Sequence, residues 1–134
     1  MTGRCELRLS SAARTDRPKS LRHALAAFLA AVPLDAESSE DILTAVGEAL
    51  ANAVEHAYDG RDCGTVELFA CTGDDATIRV EVSDNGIFIE RERTPDRGFG
   101  LRIIRAIASA VSVERDGGTK VRMTFDVASA RAVG

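Results

Sequence analysis

The chain has 134 residues, enough for one domain with a real core and too few for two. Hydrophobic residues make up 45% and charged residues 28%, a globular composition, and an aromatic content of 4% leaves core-building to Leu, Ile, Val and Ala. A formal net charge of -4 and an isoelectric point near 5.2 exclude a domain that grips nucleic acid through a bulk positive field, so no direct nucleic-acid partner is expected.

Cys5, Cys63 and Cys71 are an odd number with no CxxC pair, which supports neither a disulfide framework nor a zinc site and suits a reducing cytoplasm. No stretch approaches the roughly 18 apolar residues of a membrane span, and Met1 to Ser10 is mixed polar rather than a basic segment leading into an apolar run. A soluble cytoplasmic protein without a membrane partner is expected.

In chain order, Cys5 to Leu9 alternates enough for a short first strand, followed by polar punctuation from Ser10 to Arg17. From Pro18 to Val32, the residues Leu21, Leu25, Phe28, Leu29 and Val32 recur at helical spacing, with Arg17, Lys19, Arg22 and His23 as a solvated basic face. Pro33 to Glu37 links this helix to a longer one, Ser38 to Tyr58, with Ser38 and Asp41 as a capping box and Asp59-Gly60 as the stop. Ile42, Leu43, Val46, Leu50, Ala53, Val54 and Ala57 fall on one arc of that helix, the side that packs.

Thr65 to Thr72 and Thr77 to Asp84 flank a Gly73-Asp74-Asp75 turn and read as a hairpin with one buried face. Asn85 to Arg97 carries Gly86, Pro95 and many charges, which reads as a loop whose length suggests function. Gly98, Phe99 and Gly100 open a third helix through Leu101, Ile104 and Ile107. Val111 to Arg115 and Thr119 to Val127 close the chain as a second hairpin. Polar alternation in the strands means one sheet face meets water and the other is covered. The expected fold class is therefore α/β (α+β): a two-layer sandwich with three helices on one face of a mixed, mostly antiparallel sheet of about five strands.

Opposite the packing arc of the long helix, Glu48, Asn52 and His56 stack at successive four-residue steps, with Thr44 and Glu55 beside them. Taken alone, this stripe reads equally as a solvated helix face. Asp84 closes a strand of alternating hydrophobics, where a buried carboxylate needs a hydrogen-bond donor, and Gly86 allows backbone to approach a ligand closely. Asp84-Asn85-Gly86 is also an ordinary turn sequence. Gly98 and Gly100 ahead of a helix suit a phosphate site or a plain helix start. Arg91, Arg93 and Arg97 are either phosphate contacts or solvated charges.

Four blocks stand in order: Glu48, Asn52 and His56; Asp84, Asn85 and Gly86; Gly98, Phe99, Gly100 and Leu101; Gly118 and Thr119. Together they resemble the GHKL (Bergerat-fold, histidine-kinase-like) ATP-binding superfamily of gyrase, heat-shock chaperone, mismatch-repair and histidine-kinase ATPase domains. Within it the chain looks most like the anti-sigma-factor serine/threonine protein kinases. The resemblance implies a single ATPase domain over 1–134 with a short lid at 85–97. It puts Asn52 at Mg²⁺, Glu48 as the catalytic base, and His56 in a supporting place. It puts Asp84, Gly86 and Thr119 at adenine, and Gly98, Phe99, Gly100 and Leu101 beside the phosphates of ATP or ADP.

One departure from the pattern is Phe88, where the family carries a second glycine two residues after the first. The function implied is an ATP-dependent kinase that binds a sigma factor and phosphorylates an anti-anti-sigma (STAS) protein, as a homodimer. The other readings are a non-catalytic nucleotide-binding partner switch and a GHKL ATP hydrolase.

Overall fold

The computed structural model describes residues 5–12, 16–58, 64–73, 77–85, 95–115 and 117–126, with side chains at 55–58 and 95–100 left out. The elements in order are β1 (Glu6–Ala12), α1 (Arg17–Ala30), α2 (Ala36–Tyr58), β2 (Thr65–Thr72), β3 (Thr77–Asp84), α3 (Pro95–Ile107), β4 (Ala110–Arg115) and β5 (Thr119–Asp126). The strands form one open sheet in the order β1-β2-β3-β5-β4. Among the described residues every pairing is antiparallel, so the sheet expected as mixed and mostly antiparallel shows no parallel pair.

Alternation along the strands does what a half-buried sheet requires. Val66, Leu68 and Ala70 of β2, Ile78, Val80 and Val82 of β3, and Val121, Met123 and Phe125 of β5 face the helices and are buried. The other face carries charge. Arg122 lies 2.7 Å from Glu114 and 3.4 Å from Glu81, and Arg8 covers the Phe69 ring at 4.5 Å. Exposed pairs of this kind stabilise little and chiefly keep the face soluble.

α2 is the middle element of the helical layer, packed on α1, α3, β2, β3 and β5. That central position buries Ala45 and Ala49 beside the expected arc of Ile42, Leu43, Val46, Leu50, Ala53 and Val54; Ala57 lies outside the described side chains. Small residues there let the flanking helices approach. α1 contributes Leu21, Leu25 and Leu29 to the same core.

Several boundaries differ from the sequence reading, each for a local reason. α2 begins at Ala36 because Asp35, not Ser38, is its cap: the Asp35 Oδ1 accepts the Ser38 N–H at 3.3 Å. α3 begins at Pro95, a residue whose fixed φ suits the first helical position, so 95–97 belong to the helix rather than to a loop. β1 runs on to Ala12 because β2 offers it partners as far as Thr65. Arg22 is not on a solvated face: its Nε donates to the Leu43 carbonyl at 3.2 Å, and its Cδ lies 3.4 Å from where a Cβ on Gly47 would stand. Arg17 is also half-buried, while Lys19 and His23 are exposed.

Candidate functional site

The register brings one end of the sheet into focus. β2 begins at Thr65, β3 ends at Asp84 and β5 begins at Thr119, all at that end. Residues 59–64 join Tyr58, the last residue of α2, to Thr65 at that end. α3 is tied at its other terminus: the Ser109 N–H donates to the Thr124 carbonyl at 2.7 Å, at the far end of β5. α3 packs on α2.

Asp84 and Thr119 are direct partners across β3 and β5. Asp84 is half-buried and Thr119 is 7% exposed, the one polar residue among the described buried set. The Thr119 Oγ1 is buried without a hydrogen-bond partner among the described residues. A buried hydroxyl in that state costs about 1–3 kcal/mol, and a ligand with a polar group at this point would relieve the cost.

Gly118 makes the arrangement possible. Its φ is 144°, and a Cβ there would overlap the Asp84 carbonyl oxygen and stand 3.0 Å from the Asn85 Cα. Only glycine lets β5 enter the sheet so close to the end of β3. Asn85, given no role of its own in the sequence, makes two bonds to Thr65. Its Oδ1 accepts the Thr65 N–H at 2.8 Å, and its own N–H donates to the Thr65 carbonyl at 3.4 Å.

On α2, Glu48 and Asn52 are half-buried one turn apart on one stripe. Thr44 is exposed one turn earlier, with its hydroxyl donating to the Glu40 carbonyl at 2.9 Å. His56 is in the last turns of α2, but its side chain lies outside the described residues, as does that of Glu55. On α3, Gly98, Phe99 and Gly100 lie inside the first two turns rather than ahead of the helix. The N–H groups left unpaired by the helix therefore fall upstream of them, in the turn that Pro95 opens. Leu101 is half-buried and packs against the core. Gly86, Phe88, Arg91, Arg93 and most of the expected lid lie outside the described residues.

Residues 11–125 match the histidine kinase-like ATPase domain, and the chain belongs to that family. Among curated proteins it is similar to an anti-sigma F factor of Clostridium perfringens, with 31% identity over 132 residues, covering 88% of this chain and 94% of that protein. It is 31% identical over 104 residues to the serine-protein kinase RsbW of Listeria monocytogenes, covering 66% of each. Among solved structures, one holding RsbU and RsbW domains of a Mycobacterium tuberculosis protein matches with a TM-score of 0.76 and 26% identity, over 92% of this chain and 32% of that one. The histidine kinase domain of a blue-light-activated kinase from Erythrobacter litoralis shares the fold, with a TM-score of 0.60 at 19% identity, over 87% of this chain and 64% of that one.

Proposed function

We propose that this protein is an ATP-dependent serine/threonine protein kinase acting as a cytoplasmic anti-sigma regulatory factor. It binds a sigma factor and phosphorylates an anti-anti-sigma (STAS) partner, and it works as a homodimer. The observation that carries the nucleotide reading is the buried, unpartnered hydroxyl of Thr119 directly opposite Asp84. An adenine ring offers the amino donor a carboxylate needs and a ring acceptor for a hydroxyl or bridging water. The similarity to anti-sigma F factors and to RsbW supports the choice of partners.

In this reading Asn52 would hold Mg²⁺ through its amide oxygen, a hard ligand that leaves room for phosphate oxygens and water. Bound there, Mg²⁺ would supply charge stabilisation for the transferring phosphoryl group. Glu48, one turn earlier, accepts the proton of the incoming serine or threonine hydroxyl as its oxygen bonds to the γ-phosphorus. The bond to the bridging oxygen breaks and ADP leaves. His56 supports the metal end from the next turn. The start of α3 lies beside the phosphates, with Gly98 and Gly100 keeping that surface free of side chains. Gly86 lets the main chain approach the adenine, and the lid proposed for 85–97 is confined to the residues between Asn85 and α3.

The test is incubation of the protein with labelled ATP, Mg²⁺ and candidate STAS proteins. Glu48→Gln should lower transfer about 10²- to 10⁴-fold while MgATP still binds. Asn52→Ala should lose the Mg²⁺-dependent part of ATP affinity. Tight ATP binding without transfer to any candidate would favour a non-catalytic partner switch. Phosphate released to water at a comparable rate without acceptor would favour a hydrolase.

A further inference from the structure

Asn85 directly follows Asp84, the last residue of β3, and it is held from both sides. The β2–β3 ladder runs to Val66 opposite Asp84, so the next opposed pair is Thr65 with Asn85. A hydrogen-bonded antiparallel pair exchanges two main-chain bonds. One of these is present, Asn85 N–H to Thr65 carbonyl at 3.4 Å. For the other, the Thr65 N–H goes at 2.8 Å to the Asn85 side-chain oxygen. The carboxamide thus stands in for its own main-chain carbonyl. It completes the ladder beside Asp84. From the other strand, Gly118 comes so near that a Cβ would be 3.0 Å from the Asn85 Cα.

We propose that Asn85 is a positioning residue for the nucleotide base. By binding Thr65 it fixes the last residue of β3, so that Asp84 stays opposite Thr119. The proposal rests on the nucleotide reading above. It adds a residue that contacts no ligand and acts through Asp84. The physical basis is leverage: the terminal pair of a ladder is the one that frays, and a frayed Asp84 has no defined distance to Thr119.

Two measurements on the intact protein test it, using Asn85→Ala and Asn85→Asp, the second of which keeps the acceptor for Thr65. Amide exchange without nucleotide reads the clamp. The Thr65 N–H should exchange about five- to tenfold faster in Asn85→Ala, return toward wild type in Asn85→Asp, and leave mid-strand Val80 unchanged. Calorimetry with MgATP reads the consequence: affinity should fall roughly five- to tenfold in Asn85→Ala and recover to within about threefold in Asn85→Asp. Wild-type ATP affinity in Asn85→Ala would overturn the proposal. So would equal acceleration at Thr65 and Val80, or failure of Asn85→Asp to restore binding. A wild type that binds no adenine nucleotide would remove the underlying reading and the positioning role with it. That failure is told apart from failure of the clamp, because Thr65 exchange is read without nucleotide.

Discussion

Thr119 stands directly across from Asp84 at the end of the β3–β5 ladder, with its hydroxyl buried and unpartnered. A side chain in that position has opposite effects on the ligand-free and ligand-bound protein. Thr119→Val keeps the shape and removes the orphan oxygen, so the ligand-free protein should gain up to about 1 kcal/mol in urea unfolding. The same variant should bind MgATP about five- to tenfold more weakly. A loss of ligand-free stability would mean that the hydroxyl is satisfied without nucleotide.

Gly118 is the strand entry that brings this pair together. Gly118→Ala places a methyl against the Asp84 carbonyl at a φ of 144°, and backbone rather than a flexible side chain must give way. It should cost about 2–4 kcal/mol, the sum of local strain and overpacking. Gly117→Ala, at a φ of 68° with open space around it, should cost less because only conformational strain is added. Parallel urea titrations of the two variants check the ranking.

Gly47 and Arg22 meet where α1 crosses α2. A Cβ on Gly47 would touch the Arg22 Cδ and Nε at 3.4 Å, at the edge of ordinary contact and against a side chain that can shift. Replacing a helix-interior glycine by alanine gains about 0.8–1.0 kcal/mol, so Gly47→Ala should be net stabilising. Arg22→Ala removes the bond to the Leu43 carbonyl and its packing, and should lose about 1 kcal/mol. The double variant, by thermal unfolding, should show little coupling if the guanidinium merely moves aside.

Among the described side chains of α3, Ile104 is fully buried, while Leu101 and Ile107 are half-buried. Ile104→Ala should cost about 2–5 kcal/mol. It should loosen α3 before the rest of the domain. Amide exchange is therefore expected to rise along 101–107 ahead of β2 and β3.

The hairpin formed by β2 and β3 was legible to the residue, Thr65–Thr72 and Thr77–Asp84, because alternation and turn chemistry act between neighbours in the chain. The packing arc of α2 was legible for the same reason. Pro95 is ambiguous in the sequence, since a proline marks a loop or a helix start equally well until the following turns pack. The burial of Arg22 is hidden from the sequence because its partner, the Leu43 carbonyl, belongs to another helix. At the site, Glu48 and Asn52 share a stripe by helical period alone, and Asp84 and Thr119 could each be picked out singly.

By itself, then, the order of residues determined which segments are helix and strand, which faces are apolar, and that the chain resembles a nucleotide-binding family. Each of these depends on contacts within a few residues. The fully antiparallel order β1-β2-β3-β5-β4, the burial of Ala45 and Ala49, and the opposition of Asp84 to Thr119 were decided by tertiary structure alone. So was the use of the Asn85 side chain as a ladder partner. Register between strands is a cooperative property of the whole packed sheet: shifting β5 by one residue would turn Val121, Met123 and Phe125 to water, and the energy that forbids this is spread over the entire core.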